Sequence, residues 1–170
     1  ICPDCGNEYS AIVCDREVGD NSCSYCNDRI TLKGFNDLAT TDPNLAKEIS
    51  PNNDRPASDL RKTMTITALW ICPDCGNEYS TIIRDREAGD DSCPYCNDKK
   101  TLQGYNDLIT TDPGLAKEYS PNNDRPLSEI RKTLKIRALW ICPDCGNEYS
   151  AVIRDREVGD DSCPYCNDRK

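Results

Sequence analysis

The chain has 170 residues, with 30 Asp and Glu against 21 Lys and Arg, no histidine and a formal charge of −9. That balance counts against a surface built for phosphates, because nucleic-acid affinity comes mainly from cations facing the backbone; the missing histidine removes the commonest general base and every mixed cysteine–histidine metal scheme. Hydrophobic residues make up 36%, below the roughly 45–50% of an ordinary globular domain, and no apolar run approaches the ~18 residues of a membrane-spanning helix.

Ile1, Ile71 and Ile141 open equivalent stretches, so the chain repeats with a period of seventy. This divides it into a partial repeat at 1–30 and full repeats at 31–100 and 101–170. The first cassette carries two Cys-x-x-Cys hooks, Cys2/Cys5 and Cys23/Cys26. It also carries Cys14, where the siblings have Arg84 and Arg154. This thirteenth cysteine falls outside the hook pattern and reads as a buried or tolerated thiol, with a reactive or intermolecular thiol as the alternative.

The segment 31–70 is expected to be folded. Asn36 is expected to cap a short helical turn through Thr40. Asp42-Pro43 is a strong helix start, an acceptor followed by proline at the first helical position, and the helix should reach about Ile49 and stop before Pro51. Leu45 and Ile49 then share a face. The second copy repeats this with Asp112, Pro113, Leu115 and Tyr119. Pro51 to Pro56 reads as loop, and Ser58 to Arg61 as one further helical turn. From Thr63 the pattern alternates, with Met64, Ile66, Ala68 and Trp70 on one side of a strand.

That strand runs into the hook Cys72/Cys75. Tyr79 to Ile83 reads as the returning strand, which makes the hook the tip of a β-hairpin. Arg84 to Ala88 follows as a turn or helix ended by Gly89. The second hook, Cys93/Cys96, follows after an interval of seventeen, and the third cassette repeats the set as Cys142, Cys145, Cys163 and Cys166. Residues 70–100 and 140–170 differ at only four positions, so one reading serves both.

Two hooks brought together offer four sulfurs in a tetrahedron, the ligand set and shape that Zn²⁺ prefers in closed structural sites. Gly76 stands where the knuckle needs positive φ, and Asn97 is expected in the matching place of the second hook. Pro73 and Pro94 stiffen the turns. All twelve hook cysteines are therefore expected as ligands of three zinc ions. A disulfide framework, a thioredoxin-like redox pair and a rubredoxin-like iron site use the same residue type and remain the alternatives. Each cassette is too small to be stable by apolar burial alone, so the metal is expected to stabilise it. Three filled sites would bring the formal charge to about −15.

Asp85, Glu87, Asp90 and Asp91 cluster between the hooks. They are expected to form a solvated acidic face, since Cys96 occupies the place where a calcium loop needs its last carboxylate. Arg84 and Arg86 could grip a phosphate, but are expected to pair with these neighbours or with the metal-site sulfurs. Trp70, Trp140, Tyr79 and Tyr149 are expected to form the small core rather than to stack on bases.

Trp70-Ile71-Cys72-Pro73-x-Cys75-Gly76-x-x-Tyr79, followed by Arg86, Gly89 and Cys93-Pro94-x-Cys96, resembles the bacterial and phage "probable zinc-ribbon" repeat family. Asn36-x-Leu38-Ala39-x-x-x-Pro43-x-Leu45-Ala46-x-Glu48 resembles the segment that this family places before each ribbon. The resemblance implies treble-clef or ribbon zinc modules in tandem, sometimes beside nuclease domains, with metal ligation at the cysteine quartets.

The expected fold is a small α+β tandem array of four-cysteine zinc-ribbon or treble-clef-like modules, stabilised by metal. The leading functional expectation is a structural repeat protein, a scaffold or a self-assembling, filament-forming array. The first cassette has no preceding segment of the kind seen at 31–70 and the chain stops just past a hook, so a head-to-tail neighbour could supply what is missing; a fragment of a longer array is the plainer account. The alternative is a nucleic-acid-binding zinc ribbon that uses Arg84, Arg86, Lys99 and Lys100. Closed metal sites without a positioned base argue against an enzyme. Partners would be copies of the chain or another protein, and all-thiolate zinc favours a reducing interior such as the cytoplasm.

Overall fold

A computed structural model of the chain describes residues 1–12, 23–89, 92–157 and 163–167. It comprises two compact units, Ile1–Cys93 and Pro94–Lys170. In the first, helices α1 (Leu38–Thr41) and α2 (Pro43–Ala46) and a 3-10 turn (Ala57–Asp59) precede strands β1 (Thr67–Ile71) and β2 (Glu78–Ile82) and helix α3 (Ile83–Glu87). The second repeats the plan with α4 (Leu108–Thr111), α5 (Pro113–Glu118), a 3-10 turn (Leu127–Glu129), β3 (Arg137–Ile141), β4 (Glu148–Val152) and α6 (Ile153–Glu157), and ends in α7 (Pro164–Asn167). The architecture is small α+β, and no helix among the described residues is long and apolar enough to cross a membrane.

Short helices in a polar chain need their ends satisfied by side chains. Asp42 does this for α2, its carboxylate accepting from the Leu45 N–H at 2.9 Å with Pro43 at the first helical position. The cap of α1 is Asp37, not Asn36. Its carboxylate accepts from the Thr40 N–H at 3.0 Å and the Thr40 hydroxyl at 2.8 Å. Burial pushes the Asp37 carboxyl up, but these bonds and one from the Gly34 N–H outweigh it and hold the group below its ordinary value. Asn36 is spent on the neighbouring knuckle, as described below.

Helix α2 stops at Ala46 rather than near Ile49. The residues that would have extended it pair with β1 instead. Ile49 bridges Trp70, the Ser50 N–H donates to the Leu69 carbonyl at 3.0 Å, and the Ile71 N–H donates to the Glu48 carbonyl at 2.6 Å. In the second unit the helix continues to Glu118, and Tyr119 bridges Trp140.

β1 and β2 pair antiparallel, with Trp70 opposite Tyr79, and β3 and β4 repeat the register with Trp140 opposite Tyr149. The strand begins at Thr67, not Thr63, and Ile66 is 42% exposed. Beyond this point β2 turns directly into α3, so the ladder gives way to a cap. The carbonyls of Ile66 and Met64 accept from the N–H groups of Ile83 and Arg84, both at 3.1 Å. These are the first helical residues, whose donors have no partner within the helix.

The outer edge of β1 is closed by a side chain. Asn53 accepts from the Leu69 N–H and donates to the Leu69 carbonyl, both at 2.8 Å, and also donates to the Ser50 carbonyl at 2.8 Å. Its amide thus stands in for one peptide unit of a neighbouring strand, and Asn123 does the same at Leu139. Ser50 donates to Glu78, and the Asn52 side chain donates to the same carboxylate at 2.9 Å, which ties the loop to the start of β2.

Behind each hairpin lies a small core. Trp70, Leu38 and Ile83 are fully buried, with Tyr79, Leu60 and Leu45 beside them in burial. In the second unit Leu108, Ile130, Trp140, Tyr149 and Ile153 form one cluster with the ligand-pattern cysteines Cys142 and Cys163. The Trp70 indole N–H donates to the Thr81 carbonyl and that of Trp140 to the Ala151 carbonyl, both at 3.2 Å. Trp70, Trp140, Tyr79 and Tyr149 are therefore core residues and present no free face to a base.

Removing the Asn123 amide strands the Leu139 N–H, whereas the Leu139 carbonyl keeps its bond from the Ser120 N–H. Asn123→Ala is expected to cost about 1 kcal/mol, the low end for orphaning one backbone donor, because Leu139 is half-buried. Thermal unfolding of the metal-loaded chain checks this, and a change below a few tenths would show that water replaces the amide without loss.

Candidate metal centres

Each first hook is a turn whose hydrogen bonds are made by the backbone. The Cys72 N–H donates to the Asn77 carbonyl at 3.0 Å and the Gly76 N–H returns to the Cys72 carbonyl at 2.9 Å. Gly76 has φ +70°, a conformation costly for residues with a Cβ. The other copies repeat the bonds at Cys2 and Cys142. In cassette one the hook forms without a hairpin, and residues 1–12 contain no strand.

The second hooks turn around an accepting carbonyl. The Lys99 and Lys100 N–H groups both donate to the Pro94 carbonyl, at 2.8 and 2.9 Å, and Arg29 and Ile30 use Ser24 in the same way. Positive φ falls on Asp28 and Asp98, each at 53°, rather than on Asn97. The left-handed residue is one place later than expected, and Asp, like Asn, tolerates it.

An asparagine fastens each second hook to the segment that follows. Asn36 accepts from the Leu32 N–H at 2.7 Å and donates to the carbonyls of Tyr25 and Ile30, both at 2.9 Å. Asn106 repeats the set with Leu102, Tyr95 and Lys100. Burial of Asn36 to 7% and Asn106 to 8% exposure follows from this full use of the amide.

The twelve hook cysteines gather into three groups: Cys2, Cys5, Cys23 and Cys26; Cys72, Cys75, Cys93 and Cys96; and Cys142, Cys145, Cys163 and Cys166. Within each group all sulfurs lie within 4.8 Å of one another. Cys2 and Cys26 are 3.7 Å apart, Cys5 and Cys23 3.8 Å, Cys75 and Cys93 3.7 Å, and Cys142–Cys166 and Cys145–Cys163 3.7 Å each. A disulfide requires about 2.05 Å, and the cysteines are free. A tetrahedron with metal–sulfur bonds of about 2.3 Å has edges of about 3.8 Å. The quartets fit that figure, and the three groups are compatible with three zinc sites. Cys14 lies outside the described residues.

The Asn7 backbone N–H lowers the Cys5 thiol to about 6, while the hydrogen bond to Cys5 pushes the Cys26 thiol far up. In the third group Asn147 lowers Cys145 to about 6 and the bond to Cys145 raises Cys166 to about 12. In each of these two groups one sulfur is thus prepared as a thiolate beside another that holds its proton. A bound dication is what would release those protons.

The charged residues between the hooks are engaged. Arg84 pairs with Asp85 at 3.1 Å and Lys62 with Glu87 at 3.7 Å. Asp90 and Asp91 lie outside the described residues. Among the described residues the carboxylate that pairs with Arg86 is that of Glu48, far back in the sequence, and the guanidinium sits 6.0 Å from the Trp70 ring centre. Arg156 does the same with Glu118 and Trp140. Arg86 is thereby withdrawn from any phosphate-gripping role. Neither the pairing of Glu48 nor the bridging role of the asparagines is legible in the sequence, although each of these residues recurs unchanged one period later.

Native mass spectrometry of the purified chain is expected to give three zinc ions per molecule and Cys142→Ser two. An unchanged count in the variant would remove Cys142 from the ligand set.

A family model described as a probable treble clef zinc finger domain matches residues 45–99 and 115–169. The chain is also 25% identical over 164 residues to the uncharacterized protein R635 of Acanthamoeba polyphaga mimivirus. That alignment takes in 88% of this chain but only 39% of the viral protein, so the chain spans about two fifths of its relative's length. Two family matches, each running from the helical segment through a hairpin to a second hook, cover well over half of the residues: the chain belongs to the probable treble clef zinc finger family.

Proposed function

We propose that this protein is a zinc-stapled structural repeat, a scaffold that assembles through its modules and carries out no catalysis. The observation that carries the reading is the quartet geometry: four sulfurs at tetrahedral spacing fill every coordination position of a structural zinc ion. A catalytic zinc keeps one position open. The metal also supplies folding energy that the modest cores do not.

Self-assembly is the finer part of the proposal. It is supported by the way one module joins the next. Asn36 and Asn106 link a second hook to the following segment through local hydrogen bonds, identically in both copies. A second molecule could offer the same segment to the same kind of hook, and such a heterologous contact is open-ended.

A second reading, nucleic-acid binding, is favoured by one stretch. Arg131 to Arg137 carries four cations and no carboxylate, where the first repeat has threonine at 65 and 67. Lys135 and Arg137 are exposed. This patch, rather than Arg84 and Arg86, is where a nucleic acid would have to sit.

Thorough chelation is expected to abolish the cooperative thermal transition and the strand signal in circular dichroism; retention of both would end the metal-stabilised reading. Light scattering across a concentration series is expected to show mass rising with concentration. A constant monomer, together with a salt-sensitive gel shift on DNA or RNA that Lys135→Glu abolishes, would replace the scaffold reading with the second one.

A further inference from the structure

One difference between the second and first metal centres is a hydroxyl. The Tyr105 hydroxyl lies 3.6 Å from the Cys96 sulfur, within hydrogen-bond reach. In the preceding copy the equivalent of Tyr105 is Phe35, which has no hydroxyl to donate to Cys26. Access does not distinguish the pair. Cys26 and Cys96 are the exposed members of their quartets, and Phe35 and Tyr105 are 36% and 37% exposed. Among the described residues, Cys26 meets only sulfurs of its own quartet.

We propose that Tyr105 protects the metal centre of Cys72, Cys75, Cys93 and Cys96, and that Cys26 reacts with soft electrophiles ahead of its counterpart Cys96. The inference rests on zinc-loaded quartets. A four-thiolate zinc centre carries two net negative charges spread over its sulfurs, so an exposed thiolate remains a nucleophile. A hydrogen bond donated to it withdraws charge and stabilises the unreacted state. Such partners of metal ligands usually change the behaviour of a site on the order of 10- to 100-fold.

The step has a defined balance. The Cys26 thiolate adds to the carbon–carbon double bond of a maleimide. A sulfur–carbon bond forms, the π pair moves to the adjacent carbon, and that carbon takes a proton from water. The product is a neutral thioether, a poorer ligand than a thiolate, and the quartet then holds its zinc more weakly. The chain would release zinc in graded fashion, from the first centre before the second.

The test uses the full chain, with three zinc ions per molecule verified before labelling by substoichiometric N-ethylmaleimide. Peptide mapping gives the rate at each cysteine, and a chromophoric chelator follows released zinc. Cys26 is expected to label on the order of tenfold faster than Cys96. Tyr105→Phe is expected to raise the Cys96 rate towards that of Cys26, and Phe35→Tyr to lower the Cys26 rate, with zinc release following in each case. Equal rates in the zinc-loaded parent chain, or a Cys96 rate that ignores Tyr105→Phe, overturn the proposal and leave the metal reading intact. A purified chain without zinc overturns both.

Discussion

Four sulfurs within 4.8 Å of one another, with pairs as close as 3.7 Å, cannot all be charged unless a cation sits among them. Much of the remaining structure serves that condition. The hooks present sulfurs at tetrahedral spacing because backbone hydrogen bonds fix each turn, and a positive φ at Gly76 or Asp98 lets the chain leave in the required direction. The first cysteine of each hook is buried while the second is half-buried or exposed. Each quartet thus has one side in the core and one towards solvent. In the second unit Cys142 and Cys163 belong to the cluster that contains Trp140. The metal centre and the apolar core are therefore one object, and loss of either exposes the other.

The repeat has a period that is plain and a phase that is not. Comparing Ile1, Ile71 and Ile141 gives the period at once and suggests a cassette bounded by its two hooks. The hydrogen bonds group the chain differently. Asn36 and Asn106 bind each second hook to the segment after it, and that segment in turn pairs with the next hairpin through Ile49–Trp70 or Tyr119–Trp140. The boundary between the compact units falls after Cys93, inside the second hook. Period is a property of residue identity, whereas phase depends on which contacts are strongest, and identical copies carry no information about where one ends.

Local chemistry was readable, and long-range partnership was not. The cysteine quartets follow from spacing, and Asp42-Pro43 follows from capping rules that act within one turn of helix. The hairpin follows from alternation around the hook. By contrast, Glu48 and Arg86 are far apart in the chain, and nothing in either neighbourhood names the other. Asn36 reads as a helix cap because the residue type fits, yet Asp37 stands one place closer to the first helical turn and takes that role. Asn53 lies in a loop full of turn formers, so its use as a substitute strand is hidden among equally plausible turn residues. The early end of α2 has the same origin: a helix of one turn yields when its tail can pair with β1.

Charge decides how the two functional readings diverge. Filling the sites brings the chain to about −15, so neighbouring molecules repel and any contact between them must come from specific hydrogen bonds and packing. Salt screens that repulsion, and an array joined in this way associates better as ionic strength rises. Nucleic-acid binding at Arg131 to Arg137 would respond in the opposite sense, because added salt removes the counterion-release gain. The acidic field of the whole chain and the basic stretch of its second repeat thus pull in opposite directions along one experimental axis. The sign of the salt dependence reports which of the two the molecule uses.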